Sequence, residues 1–164
     1  MKIFDTSSIV CLLKEIDESN VLSICEILGH DTYITKSVES ELTKNPQTYK
    51  KYLEYGKIKV LNYDYNEKIE SLKKKYPWMH DGEASVICAG EQFQEEGIQY
   101  YCIIDEKARS ISNKNGLKTT GTIGILLWEY ERQQLSRDDL RRIKQELQNA
   151  PFYLSEELLN KLDK

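Results

Sequence analysis

Short apolar runs alternate along this chain with longer segments whose apolar positions recur every three or four residues. Runs at 2–5, 33–34, 58–61 and 101–104 have the length and patterning of strands, and 117–119 reads as a weaker fifth. The 101–104 run is apolar enough to sit at the centre of a sheet. Helical patterns fill the intervals. Thr6, Ser7 and Ser8 form a row of N-cap residues ahead of a helix over 9–13. Ser19 and Asn20 cap a second helix, with Val21, Ile24, Cys25 and Leu28 on one stripe and Gly29 as its stop. Val38 and Leu42 mark another, Pro46 opens one that runs to about 55, and 67–75 is a polar, surface-type helix. The segment 82–95 begins with a stretch, 84–89, that is apolar or small at nearly every position, the pattern of a helix buried on most sides. Further helices follow over 108–113, 122–131 and 136–147, with a last one capped by Ser155. Strands separated by helices predict a parallel sheet covered on both faces.

A length of 164 residues suits one domain, 1–164, built on one core. With 40% hydrophobic and 30% charged residues the chain is globular rather than disordered. No apolar run approaches the roughly 20 residues that span a bilayer, and the opening Met1-Lys2-Ile3-Phe4-Asp5 has no apolar leader core. Cys11, Cys25, Cys88 and Cys102 lie among apolar neighbours with no C-x-x-C pair, so reduced core thiols in a cytoplasmic protein are expected. The net charge of −4 argues against a general nucleic-acid coat. It leaves room for a site that gathers acids around a cation.

The acids fall in suggestive places. Open parallel sheets bind ligands beyond the carboxyl ends of their strands. Asp5 ends the first predicted strand and Asp105 the fourth. Glu39 and Glu41 lie on the helix after the second strand, flanking its Val38/Leu42 stripe on opposite sides, and helical geometry does not choose between them. Asp81 and Glu83 stand at the front of the buried helix, where either carboxylate also suits the helix dipole. Glu83 lies about 40° from Ile87 on the helical wheel and so points along the packed side. Two carboxylates about 5 Å apart repel by roughly 3 kcal/mol at an effective dielectric of about 20. Several acids at one rim therefore call for a cation, and a set of oxygen donors with no Cys or His cluster favours Mg²⁺ or Mn²⁺ over zinc.

Several short motifs together resemble the PIN-domain nucleases. Asp5-Thr6-Ser7-Ser8-Ile9-Val10 looks like their opening strand and turn, and Val38-Glu39-Ser40-Glu41-Leu42 resembles their second acidic element. Gly82-Glu83-Ala84-Ser85-Val86-Ile87 is similar to the "GEAxAI" helix of a toxin-like (VapC-like) branch. Ile103-Ile104-Asp105-Glu106-Lys107-Ala108-Arg109 matches that branch's D-x-x-A-R element. Gly121-Thr122-Ile123-Gly124 and the segment 152–158 fit its last turn and its closing segment. The resemblance implies an α/β fold: a PIN-like three-layer α/β/α sandwich with a central parallel sheet of four to five strands. It implies a Mg²⁺- or Mn²⁺-dependent endoribonuclease, commonly the toxin of a toxin–antitoxin pair, with an RNA substrate, a cognate antitoxin and often a homodimer. Carried over residue by residue, the metal-binding and catalytic acids are Asp5, Glu41, Glu83 and Asp105. Asp81 matches an accessory acid at most, and position 83 carries Glu where many relatives have Asp.

Around these acids, Thr6 is an accessory candidate, and Thr120 and Thr122 are candidates to orient a metal-bound water, although Thr122 also suits an N-cap after a glycine turn. Lys107 and Arg109 are candidates to hold RNA phosphates, and Trp78 to stack on an unpaired base. His80 reads as a surface residue within reach of substrate. Gly121-x-x-Gly124 lacks the lysine of a phosphate-binding loop. An aspartyl phosphatase needs a second acid where Ser7 stands, and a receiver domain needs an acidic pair near the first strand, where Phe4 and Thr6 flank Asp5. The stronger alternative is a catalytically inactive PIN-like module that binds RNA or protein.

Overall fold

The computed structural model describes residues 1–16, 21–22, 32–150 and 154–164. It is a three-layer α/β/α sandwich around a parallel sheet of five strands. Those strands are β1 (Lys2–Phe4), β2 (Thr32–Thr35), β3 (Lys59–Leu61), β4 (Tyr101–Ile103) and β5 (Thr119–Thr120). The helices are α1 (Thr6–Val10), widening into a π-helical turn over Cys11–Glu15, α2 (Lys36–Leu42), α3 (Pro46–Tyr55), α4 (Asn66–Lys75) and α5 (Asp81–Glu95). After β4 come α6 (Glu106–Lys114), α7 (Thr122–Glu131), α8 (Arg137–Asn149) and α9 (Glu156–Asn160).

The order across the sheet is β3-β2-β1-β4-β5. From β1 the chain winds outward to β2 and β3, then returns to place β4 and β5 on the other side. The winding direction thus reverses between β1 and β4. At such a point the connections leaving two adjacent strands part, and a crevice opens at their carboxyl ends. In register, Lys2 pairs with Tyr101, Ile3 with Cys102 and Phe4 with Ile103, so β1 and β4 end almost level. The central strand is β1 rather than β4, which is its interior neighbour. The fifth strand lies at Thr119–Thr120, overlapping the end of the 117–119 run that patterning picks out, with Leu117 buried just before it.

Two helix starts differ from the sequence reading for one reason. Asp5 itself caps α1, its carboxylate accepting the Ser8 amide at 2.8 Å, so the helix opens at Thr6 and not at Ile9. Asp105 likewise caps α6, accepting from the amides of Lys107 and Ala108, and that helix opens at Glu106. The predicted helix around 21–28 falls outside the described residues except for Val21 and Leu22, which are buried; Cys25 lies outside them too. Cys11, Cys88 and Cys102 are free thiols in the core. No helix among the described residues is long and apolar enough to cross a membrane.

The buried helix is α5. Its Ala84, Val86, Ile87, Cys88, Ala89 and Phe93 are all within the core, and it lies across β2, β1 and β4 while touching α2 and α4. Its first turn is thereby fixed at the crevice. At the other end of β1, Lys2 is buried and its Nζ lies 3.5 Å from Glu129 Oε1, with side-chain exposures of 1% and 0%. This ion pair ties the central strand to α7. Removing one partner of such a pair strands the other charge, at a cost of about 3–5 kcal/mol. Lys2→Met is therefore expected to lower Tm by on the order of 10 °C, and adding Glu129→Leu to restore most of it, as read by a thermal melt.

Candidate functional site

The crevice between β1 and β4 receives the carboxylates of Asp5 and Asp105, because both residues leave their strands at the same end. Asp5 is buried and held from several sides. Its amide donates to the Ile103 carbonyl at 3.0 Å. Its Oδ1 accepts from Ser8 N, its Oδ2 accepts from the Asp105 amide at 3.2 Å, and the Ser7 hydroxyl lies 3.1 and 3.0 Å from the two oxygens. Burial nevertheless raises its pKa to about 6, outweighing the Ser8 and Ser7 donors, and the Asp105 charge pushes the same way.

Glu83 comes from the first turn of α5. Its Oε2 accepts the His80 amide at 3.1 Å, which fixes the carboxylate at the helix entrance. Asp5, Glu83 and Asp105 each present an oxygen within 4.8 Å of the other two. Burial first, and then the adjacent Asp105 carboxylate, push Glu83 up to about 8.

The remaining acids take different places. Glu41 is held beside the triad: Thr6 Oγ1 donates to its Oε2 and the Gly82 amide donates to its Oε1 at 2.8 Å. The choice between the two glutamates of α2 is thus made by packing, since Glu39 turns away and accepts from the Tyr52 hydroxyl at 3.1 Å. Gly82 is needed for this approach, because a β-carbon there would lie 2.5 Å from Glu41 Oε2 and 2.7 Å from Thr6 Oγ1. Asp81 forms an ion pair with Lys73 at 2.6 Å and does not enter the triad. The hydroxyl of Ser7 and the amide of Gly82 were not legible as site groups. A glycine in the first turn of an otherwise well-patterned helix was the available signal for the second.

On one flank, Lys107 Nζ sits 4.1 Å from the centroid of the Trp78 ring. On the other, Arg109 lies over Gly121, at the end of β5. Thr122 is the first residue of α7, whose N-cap is Gly121, and it is buried close to Cys11. His80 is exposed as the N-cap of α5.

Fold and site together define a doubly wound α/β protein with an acidic cluster at its topological switch point. The family follows from comparison: a model described as DUF3368, PIN domain, matches residues 1–164, and the chain belongs to that family. No curated protein and no solved structure matches the chain.

The triad fits a hard divalent cation. Its donors are all carboxylate oxygens, they converge, and among the described residues none of the three carboxylates has an ion pair with Lys, Arg or His. Two outcomes are expected in thermal melts. Asp5 and Glu83 titrate higher in the folded protein than in the unfolded chain, so the folded state holds more protons between about pH 4 and 8. Cation-free protein is therefore expected to lose stability as pH rises through that window. Millimolar Mn²⁺ at pH 8 is expected to raise Tm by at least about 3 °C, and by less in Asp5→Asn. Equal rises in both proteins would place the bound ions elsewhere.

Proposed function

We propose that this protein is a Mg²⁺- or Mn²⁺-dependent endoribonuclease that hydrolyses RNA phosphodiester bonds. The observation that carries the reading is the convergence of Asp5, Glu83 and Asp105 within 4.8 Å at the switch point of a PIN-domain sheet. In this reading those residues hold the cation, and Glu41, braced by Thr6 and the Gly82 amide, completes the acidic wall. A bound cation supplies Lewis-acid polarisation of the phosphodiester and activation of water for in-line attack. The protein's own part is positioning. Ser7, Ser8 and the Asp105 amide hold the Asp5 carboxylate, and the His80 amide holds Glu83, so donor positions are set before substrate arrives. Lys107, carried on the helix that Asp105 caps, offers a cation to the phosphates of the bound strand, while Arg109 faces the cavity beside Asp105. Thr122, at the start of α7, remains a candidate to orient water. Thr6 acts through Glu41.

The same reading makes the chain the toxin of a toxin–antitoxin pair, acting in the cytoplasm, partnered by a cognate antitoxin and self-associating as a homodimer. Growth arrest on expression, relieved by the product of the adjacent reading frame, tests that part.

Asn is as good an N-cap as Asp, so Asp105→Asn keeps α6 while removing a carboxylate from the triad. Incubated with mixed RNA and Mg²⁺ or Mn²⁺, it is expected to lose at least about 100-fold in cleavage rate, with an unchanged circular dichroism spectrum. Chelator is expected to silence the wild type. Cleavage retained by Asp105→Asn would refute the assignment. RNA binding without cleavage by the wild type would favour the inactive module.

A further inference from the structure

Next to Asp105 the rim opens into a cavity of about 130 Å³. That is smaller than the roughly 300 Å³ at which sites for whole small-molecule ligands begin, so it suits one planar ring system. Ile104, Ile123 and Leu158 supply apolar walls, and α6 contributes Glu106 and Arg109. These two residues are three apart on one helix, the spacing at which opposite charges normally pair. They do not pair here. Among the described residues, neither the carboxylate of Glu106 nor the guanidinium of Arg109 takes part in any hydrogen bond or ion pair, while other i,i+3 neighbours such as Asp138 and Arg141 do pair. Arg109 is half-buried and lies against the backbone of Gly121, where an added β-carbon would come within 2.2 Å of Nη1. A half-buried fork of donors and an exposed carboxylate thus stand at the same cavity, neither with a protein partner among the described residues.

We propose that this cavity is a nucleobase subsite selective for guanine, with Arg109 and Glu106 reading the base and Gly121 holding open the place for the guanidinium. Guanine is the base whose adjacent edges match both groups. Its O6 and N7 accept the two N–H bonds of an arginine fork, and its N1–H and N2–H₂ donate to both oxygens of a carboxylate. Cytosine satisfies the carboxylate with a single amino group. Adenine turns an amino donor toward the guanidinium, and uracil has no amino group to give. Asp105 lines the cavity and also belongs to the triad, so the cavity adjoins the acids. The inference rests on the nuclease reading for its substrate class and adds to it a preference for cleavage beside guanosine.

The test is binding without chemistry. Isotopically labelled full-length protein, free of divalent cations, is titrated with the four ribonucleoside 5′-monophosphates and with ribose 5-phosphate. The Arg109 side-chain N–H and the Ile123 amide are followed by NMR. The guanosine nucleotide is expected to shift both, and to bind about tenfold or more tightly than the other three or ribose 5-phosphate. The φ of −111° at the Gly121 position is ordinary for any residue, and the displaced atom is the far end of a flexible side chain. Gly121→Ala is therefore expected to lose the preference with Tm changed by no more than about 2 °C, and Arg109→Gln to lose it likewise. Equal binding of all four nucleotides and ribose 5-phosphate would make Arg109 a phosphate contact and overturn the proposal. So would tighter binding of the cytidine nucleotide, no response at all, or an undiminished preference in Arg109→Gln. The ligands contain no phosphodiester between nucleosides. Guanine-selective binding by a protein that cleaves nothing would sink the nuclease and leave the subsite, and an active nuclease without that selectivity would do the reverse.

Discussion

Asp5, Glu83 and Asp105 repel one another across no more than 4.8 Å, by roughly 3 kcal/mol for each charged pair at an effective dielectric of about 20. With all three charged and nothing to hold them, the rim would spread. It is kept closed by groups that have no freedom to move: the amide of Ser8 in a helix turn, the amide of Asp105 at a strand end, and the amide of His80 at the entrance of α5. Each of these backbone groups is anchored by the core below it. Stability in the sheet is thus used to hold an arrangement that electrostatics alone would disperse, and burial first, with the neighbouring carboxylates behind it, raises the pKa values of Asp5 and Glu83. A cluster of this kind is able to hold a divalent cation.

The rest of the rim is arranged around this cluster asymmetrically. Glu41 stands outside the triad, where the missing side chain of Gly82 lets α2 and the first turn of α5 approach closely enough for Thr6 and an amide to hold its carboxylate. Lys107 is parked on the face of Trp78, while Arg109, two residues further along the same helix, is directed toward the opposite side over Gly121. Among the described residues neither cation forms an ion pair with an acid of the triad.

Much of this was readable from the chain. The strands, most helices and the placing of acids after β1 and β4 follow from short-range patterning, which depends on neighbours within a turn or a pleat. The misreadings share a cause. Thr6, Ser7 and Ser8 can each cap a helix without Asp5, yet Asp5 caps α1 and belongs to the acidic cluster as well, a double role that no propensity scale ranks. The 101–104 run looks central because it is uniformly apolar, but an interior strand beside the centre is just as covered, and the strand order places β1 there. Glu39 and Glu41 are equivalent by helical geometry. Only Tyr52 on one side and Thr6 with Gly82 on the other separate them.

Amino-acid order alone determined the alternation of strand and helix, the burial of α5 and the PIN-domain family, because each of these is encoded in local periodicity or in motifs a few residues long. Tertiary structure decided which acids meet. Asp5 and Asp105 stand 100 residues apart in the chain and become neighbours only because the sheet reverses its winding between their strands. Glu83 joins them because α5 is packed across those same strands, and Asp81, two residues earlier, is drawn off by Lys73. Convergence of charge is a property of strand order and of helix packing, and neither leaves a periodic trace in the sequence.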